Sequence, residues 1–359
     1  MDKLIQQAMV LLLLLTISCN TMKKEAPPQW TPEMCQPKET LGENTNIYRV
    51  ELVEDEIYTL EGKIAHMPFG GSSGEWGASG ASYTDQYGTP IGATIVYYAG
   101  YEDKFYRLEA KFDVEKMKKL VKEIHYPDES FLYQEDLNPD EPYKPGMFNS
   151  LIFGFAPQGM VVVWAGYLGA KIEVGRFQAK EITNKEEDKA FEKRLFASWS
   201  MNRAQVKARD FMPNASCALW DTYRKRYHIA LNATSENKKF KLFYKEWWSF
   251  NGENKSYFRP EILTPTPVSR ALPNRIIIDW ETGYKDTYRG LVFLNEEAIF
   301  NHFKNIPEGS THRFHVKIAA DNSDMELFVD NTKIEVDSMR IWPSYEPGKY
   351  KDSYKENEK

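Results

Sequence analysis

Gly100-Tyr101-Glu102-Asp103-Lys104-Phe105-Tyr106-Arg107 recurs later in the chain as Gly283-Tyr284-Lys285-Asp286-Thr287-Tyr288-Arg289, one residue shorter. Internal repetition is read before local propensity, because it indicates one folding unit used twice. A proline-led apolar run precedes each copy: Pro90 with Thr94-Ile95-Val96-Tyr97, and Pro273 with Ile277-Ile278-Asp279-Trp280. A strand and then a helix follow each copy. Tyr106, Leu108, Ala110 and Phe112 alternate with Arg107, Glu109 and Lys111, the period of a half-buried strand. Asp113 can then cap a helix with Met117, Leu120, Val121 and Ile124 on one face. In the second copy Asn295 takes the cap, and Ile299, Phe303 and Ile306 take the face.

Further matches lie on both sides. Tyr48-Arg49-Val50-Glu51-Leu52 resembles Tyr227-His228-Ile229-Ala230-Leu231, and Glu75-Trp76 resembles Glu246-Trp247. Lys171-Ile172-Glu173-Val174 resembles Lys333-Ile334-Glu335-Val336, and Cys35 and Cys217 stand ahead of the first strand of each copy. Each unit reads as strands, a Trp-containing loop, two more strands, a helix and a closing hairpin. In the first copy that hairpin is Leu151 to Phe155, a turn at Pro157-Gln158-Gly159, and Met160 to Trp164. The expected fold is therefore α+β and β-rich. It comprises two related units of antiparallel strands, each with one packing helix, at residues 45–182 and 211–345. A connecting helix within 183–210 joins them: Asn184 with Glu187 forms a capping box, and Phe191, Leu195 and Trp199 recur at helical spacing.

The N-terminus reads differently. Met1-Asp2-Lys3 is followed by an apolar run from Ala8 to Ile17, then Ser18-Cys19. This is the layout of a secretory signal over 1–18, with Cys19 as the lipid-bearing first residue of the mature protein. The apolar stretch is short of the roughly 20 residues a membrane span needs. Residues 19–44, with Pro27, Pro28 and Pro32, read as the lipid attachment and an extended tether. The charged residues 346–359 read as a disordered tail. The expected location is the bacterial envelope, lipid-anchored to the outer membrane and facing the periplasm, since Asn20-Thr21-Met22-Lys23-Lys24-Glu25 has no strong acidic run.

A net charge of −6 with no basic block argues against nucleic acid. The oxidising compartment permits a disulfide between Cys35 and Cys217. It would form if the two units pack about a pseudo-twofold axis, bringing the Cα atoms within about 7 Å. Gly70-Gly71-Ser72-Ser73-Gly74 spells a nucleophile elbow, but loop composition follows where that motif needs a helix. His312-Arg313-Phe314-His315 places two histidines on opposite faces of a strand, with too few ligands nearby for zinc. No metal or cofactor is expected. Trp76, Trp247 and Trp248 are the candidate binding residues, weighed against a role as plugs over each core.

Gly74-Glu75-Trp76-Gly77, the proline-led strand into Tyr101 to Tyr106, and Ala156-Pro157-Gln158-Gly159 with Val161-Val162-Val163-Trp164 resemble a bacterial lipoprotein family known as domain of unknown function 2931. The resemblance is good across 45–182. It is weaker across 211–343, where Trp247-Trp248 departs from Gly-Trp-Gly and Asp321-Asn322-Ser323-Asp324 replaces the turn. The family carries no established catalytic residues; the resemblance implies an envelope immunity role against secreted toxins. The expected function is a non-enzymatic, membrane-tethered binding protein whose partner is a toxin. The alternatives are a glycan-binding lipoprotein using the tryptophans and, behind it, a serine hydrolase using Ser72.

Overall fold

The computed structural model describes residues 26–41, 44–67, 76–78, 84–125, 146–258, 262–283 and 286–343. Cys19, Ser72 and the tail at 346–359 lie outside the described residues. The fold is β-rich, and among the described residues it has five helices. These are α1 (Val114–Leu120), α2 (Lys185–Phe196), α3 (Arg203–Asp210), α4 (Ala218–Tyr223) and α5 (Glu296–Phe303).

The repeated octapeptide turns Pro90–Ala99 back into Lys104–Lys111. Alternation then decides which side chains go inward. Ile95, Tyr97, Leu108 and Ala110 face one core, while Val96, Tyr98 and Phe105 face the other way. That outer face is covered by Phe191 and Leu195 of α2 and Val206 of α3. Pro90–Ala99 is therefore apolar on two sides, as a strand sandwiched between layers must be, whereas Lys104–Lys111 turns only Phe105 into the outer layer and carries Arg107 and Glu109 beyond it.

The covered sheet runs in the order Lys180–Glu181, Lys104–Lys111, Pro90–Ala99, Val50–Thr59, Ile64–Ala65. Facing it is the order Gln86–Tyr87, Gln29–Cys35, Gly146–Ala156, Met160–Tyr167, Ala170–Gln178. Phe153, Phe155, Val161 and Val163 fill the space between them. In the second half one sheet runs Val268–Ala271, Arg226–Ser235, Thr311–Ile318, Met325–Val329, Thr332–Lys333. The opposing order is Asn254–Phe258, Lys241–Ser249, Pro273–Glu281, Thr287–Leu294, Val336–Pro343. Among the described residues each half has one parallel pairing: Gln29–Cys35 with Gly146–Ala156, and Arg226–Ser235 with Thr311–Ile318. Ala170↔Lys255 and Lys171↔Asn254 join the halves, so one sheet runs from the first into the second.

Several expectations need correction. The chain from 19 to 44 is not all tether: Gln29–Cys35 is a strand, with Trp30 and Cys35 almost wholly buried. Pro32 is accommodated because Gln86–Tyr87 pairs only with Gln29 and Trp30, leaving an open edge beside it. The connecting helix is two helices, broken before Asn202, which caps α3 and forms with Gln205 the capping box expected at Asn184. Glu187 instead bonds Arg107. The boundary at 211 also shifts, because Trp220 of α4 belongs to the first core, edge-on to Tyr48. α1 ends early enough to leave Ile124 61% exposed.

The outer repeat matches do not hold their register. Tyr48 leads into Val50–Thr59, antiparallel to Pro90–Ala99, whereas Tyr227 lies on Arg226–Ser235, parallel to Thr311–Ile318. Trp247 sits within a strand and Trp76 in a turn. Short aromatic strands look alike wherever they sit in a sheet, so these matches carried little positional information.

Candidate functional site

The three candidate tryptophans are all engaged. Trp247 is buried, donates its indole N–H towards Ser249 Oγ at 3.0 Å, and meets Phe314 edge-on. Trp76 stands edge-on to Trp164 with centroids 5.0 Å apart, and leans on Trp220. Gly154 makes this packing possible: a Cβ there would lie 2.6 Å from Trp164 and 2.8 Å from Trp76. Trp248 carries two cations over its ring, Arg275 at 4.0 Å and Lys171 at 5.0 Å.

Cys35 and Cys217 are separate free thiols. Cys35 ends the first strand, where its sulfur accepts a hydrogen bond from the Gly77 N–H, and burial pushes its thiol up to about 12. Cys217 begins α4, near Gln158 and Asp221. Strand and helix start are not equivalent positions, so the symmetry argument for a bridge fails.

The junction of the halves is polar. The Glu173 carboxylate accepts from Arg224 at 2.7 Å, and Glu253 accepts from Arg226 at 2.6 Å and Asn251 at 3.0 Å. Trp164 donates across the junction to the Asn251 carbonyl at 3.1 Å. Gly77 and Gly252, both at positive φ, meet backbone to backbone.

A concavity of about 900 Å³ lies elsewhere among the described residues. Its floor is the strand Val50–Thr59, and its wall is the C-terminal end of α2 with Ser198 and Trp199. Glu51, Glu54, Asp55 and Glu56 line it, together with Arg194 and His66. Arg194 is bonded to Glu54. Asp55 Oδ2 accepts from the Met67 N–H, and His66 Nδ1 lies 2.6 Å from the Asp55 carbonyl oxygen. Burial raises the Glu51 carboxyl above its ordinary range, opposed by Arg209 and Arg49 nearby. Sequence reasoning missed this groove. Its signal was Glu51-Leu52-Val53-Glu54-Asp55-Glu56, where acids replace the clean alternation of a half-buried strand.

The family described as "Protein of unknown function (DUF2931)" matches residues 18–219, more than half of the chain. The chain belongs to this family. The DUF2931 match covers the first half with α2 and α3, and ends inside α4. It therefore includes every residue lining the acidic groove. No curated protein matches the chain, and no solved structure matches it.

Outside the DUF2931 segment, Ser310, His312 and Asp330 form a hydrogen-bonded relay. Ser310 Oγ lies 2.7 Å from His312 Nε2, and His312 Nδ1 lies 2.6 Å from Asp330 Oδ2. Nucleophilic use of that serine needs its proton on the imidazole and N–H donors for an oxyanion. Here the Pro307 carbonyl, 2.6 Å away, competes for the hydroxyl proton. The N–H of Ser310 bonds Pro307 and that of Gly309 bonds Arg226. The relay ties the 307–312 segment to the turn at Asp330. His315 points away, to Thr234. Among the described residues no group of three or more His, Cys, Asp or Glu could hold a metal ion.

Proposed function

We propose that this DUF2931 member is a lipid-anchored envelope protein that binds a basic segment of a partner protein in the acidic groove beside α2. The groove carries the reading: four acids line one strand, within a concavity large enough for a peptide segment. Opposite charge steers such a partner and fixes its register. A toxin neutralised in the envelope fits this description. The Ser18-Cys19 junction supports the anchor, and the family match begins beside it.

Duplication is part of the same proposal. Starting from Gln29–Cys35 in one half and Arg226–Ser235 in the other, the strand orders of both sheets correspond position by position. This pairing supports a tandem origin with an equivalence different from the short matches: Val50–Thr59 corresponds to Lys241–Ser249, and Gly146–Ala156 to Thr311–Ile318. The halves join through non-equivalent edges, Ala170–Gln178 against Asn254–Phe258. The relation is head to tail.

The glycan reading draws less support, since all three tryptophans are packed or stacked. The groove is tested by reversing charge with Glu51→Lys and Glu56→Lys together, in a pulldown from envelope extracts at two salt concentrations. A partner retained by the parent, released by salt and lost by the double variant is the expected result. No partner, or equal retention by both proteins, would count against it; saturable fluorescence changes with a polysaccharide panel would favour the glycan alternative.

A further inference from the structure

A separate pocket lies where the second half meets the first, between the strands Asn254–Phe258 and Val268–Ala271, with Lys171 and Ile172 of the first half in its wall. Two adjoining clefts of about 250 and 270 Å³ share the wall formed by Lys255, Tyr257, Val268 and Arg270. Arg270 is 9% exposed. Its guanidinium lies 4.9 Å from the Trp247 ring centre and 5.1 Å from that of Tyr257, so two aromatic rings fix its plane. The Tyr257 hydroxyl shares a hydrogen bond with it, but Arg270 Nε has no partner. Glu253 acts on it through space, opposed by Arg226, and that carboxylate is already held by Arg226 and Asn251.

A guanidinium buried without a carboxylate bonded to it is costly, because Arg keeps its charge and two rings and one hydroxyl offset only part of the desolvation. Burial also lowers its affinity for the proton. The same cleft holds a second unsatisfied group, the Asn254 side-chain oxygen, buried and without a partner. The side chains of both residues line a space the size of a single sugar or amino acid, with Arg270 Nε and the Asn254 oxygen buried in its wall. Lys255, half-buried, adds charge at the mouth. We infer that this cleft binds a small oxyanion-bearing ligand, a carboxylate or phosphate group received by Arg270, with an adjoining hydroxyl or amino donor for Asn254. Arg is suited to both oxyanions through paired N–H donors. The inference does not depend on the acidic groove, which lies in the other half.

The test is calorimetric titration of the full chain with inorganic phosphate, glucuronate and glucose, with tryptophan fluorescence as a second readout of Trp247. Saturable binding of an anion, and none of glucose, is expected. The preferred anion identifies the source as phosphate or carboxylate. Arg270→Gln should weaken binding at least about tenfold, the loss expected for one charged hydrogen bond. Should that variant misfold, Lys255→Gln should still weaken binding, and the anion should still raise the melting temperature of the parent. No saturable binding of either anion, or undiminished binding in the folded Arg270→Gln and Lys255→Gln proteins, would overturn the site.

Discussion

At the residue scale, the thiol of Cys35 sits in the first core with its proton held by burial. Its ordinary value of 9.0 applies to the unfolded chain, and about 12 to the folded one. Between these, the unfolded state loses the proton first, so raising pH favours unfolding. This thiol's contribution is intact below about pH 9 and falls by about 1.4 kcal/mol per pH unit until about pH 12. Cys35→Ala should remove that part of the alkaline slope in urea titrations across this window; an unchanged slope would refute the assignment. In the native protein at pH 8, iodoacetamide should modify Cys217, which is part-exposed, and leave Cys35 intact.

At the element scale, α3 is a short helix whose buried apolar residue, Val206, helps cover Tyr98. Asn202 accepts from the Gln205 N–H and Gln205 returns the bond, so the start of the helix is closed on itself. Asn202→Ala should cost about 1 kcal/mol by denaturant unfolding. Strands, caps and the Ala156–Met160 hairpin were legible because each depends on neighbours in sequence. Asp113 and Asn295 cap α1 and α5 as their residue types imply. Less local features were hidden. Gln29–Cys35 has proline and polar residues typical of a tether, and its pairings with Gly146–Ala156 and Gln86–Tyr87, both distant in sequence, make it part of a sheet. The acidic groove and the Arg270 cleft were equally hidden, since each is assembled from segments that approach only after folding.

At the scale of the whole molecule, the contacts between the halves include a short strand pairing, a polar lattice, Tyr223 against Phe250 and Phe300, and the approach of Gly77 to Gly252. A Cβ on Gly252 would lie 2.9 Å from the Gly77 Cα, and its φ of +87° already disfavours a side chain. Gly252→Ala should therefore destabilise the chain by about 1–3 kcal/mol and separate the unfolding of the two halves, visible as two calorimetric transitions. A single unshifted transition would show that this contact contributes little to their coupling.

The parallel seating of Gln29–Cys35 has a mechanical consequence. Five registered pairs, Thr31↔Ser150 through Cys35↔Gly154, lie along one strand axis. If the anchor is upstream, tension reaches the fold through this strand. A pull directed along it loads those backbone bonds together in shear, whereas a strand peeled sideways would yield one bond at a time. In that case Gln29–Cys35 would carry load as well as complete a core.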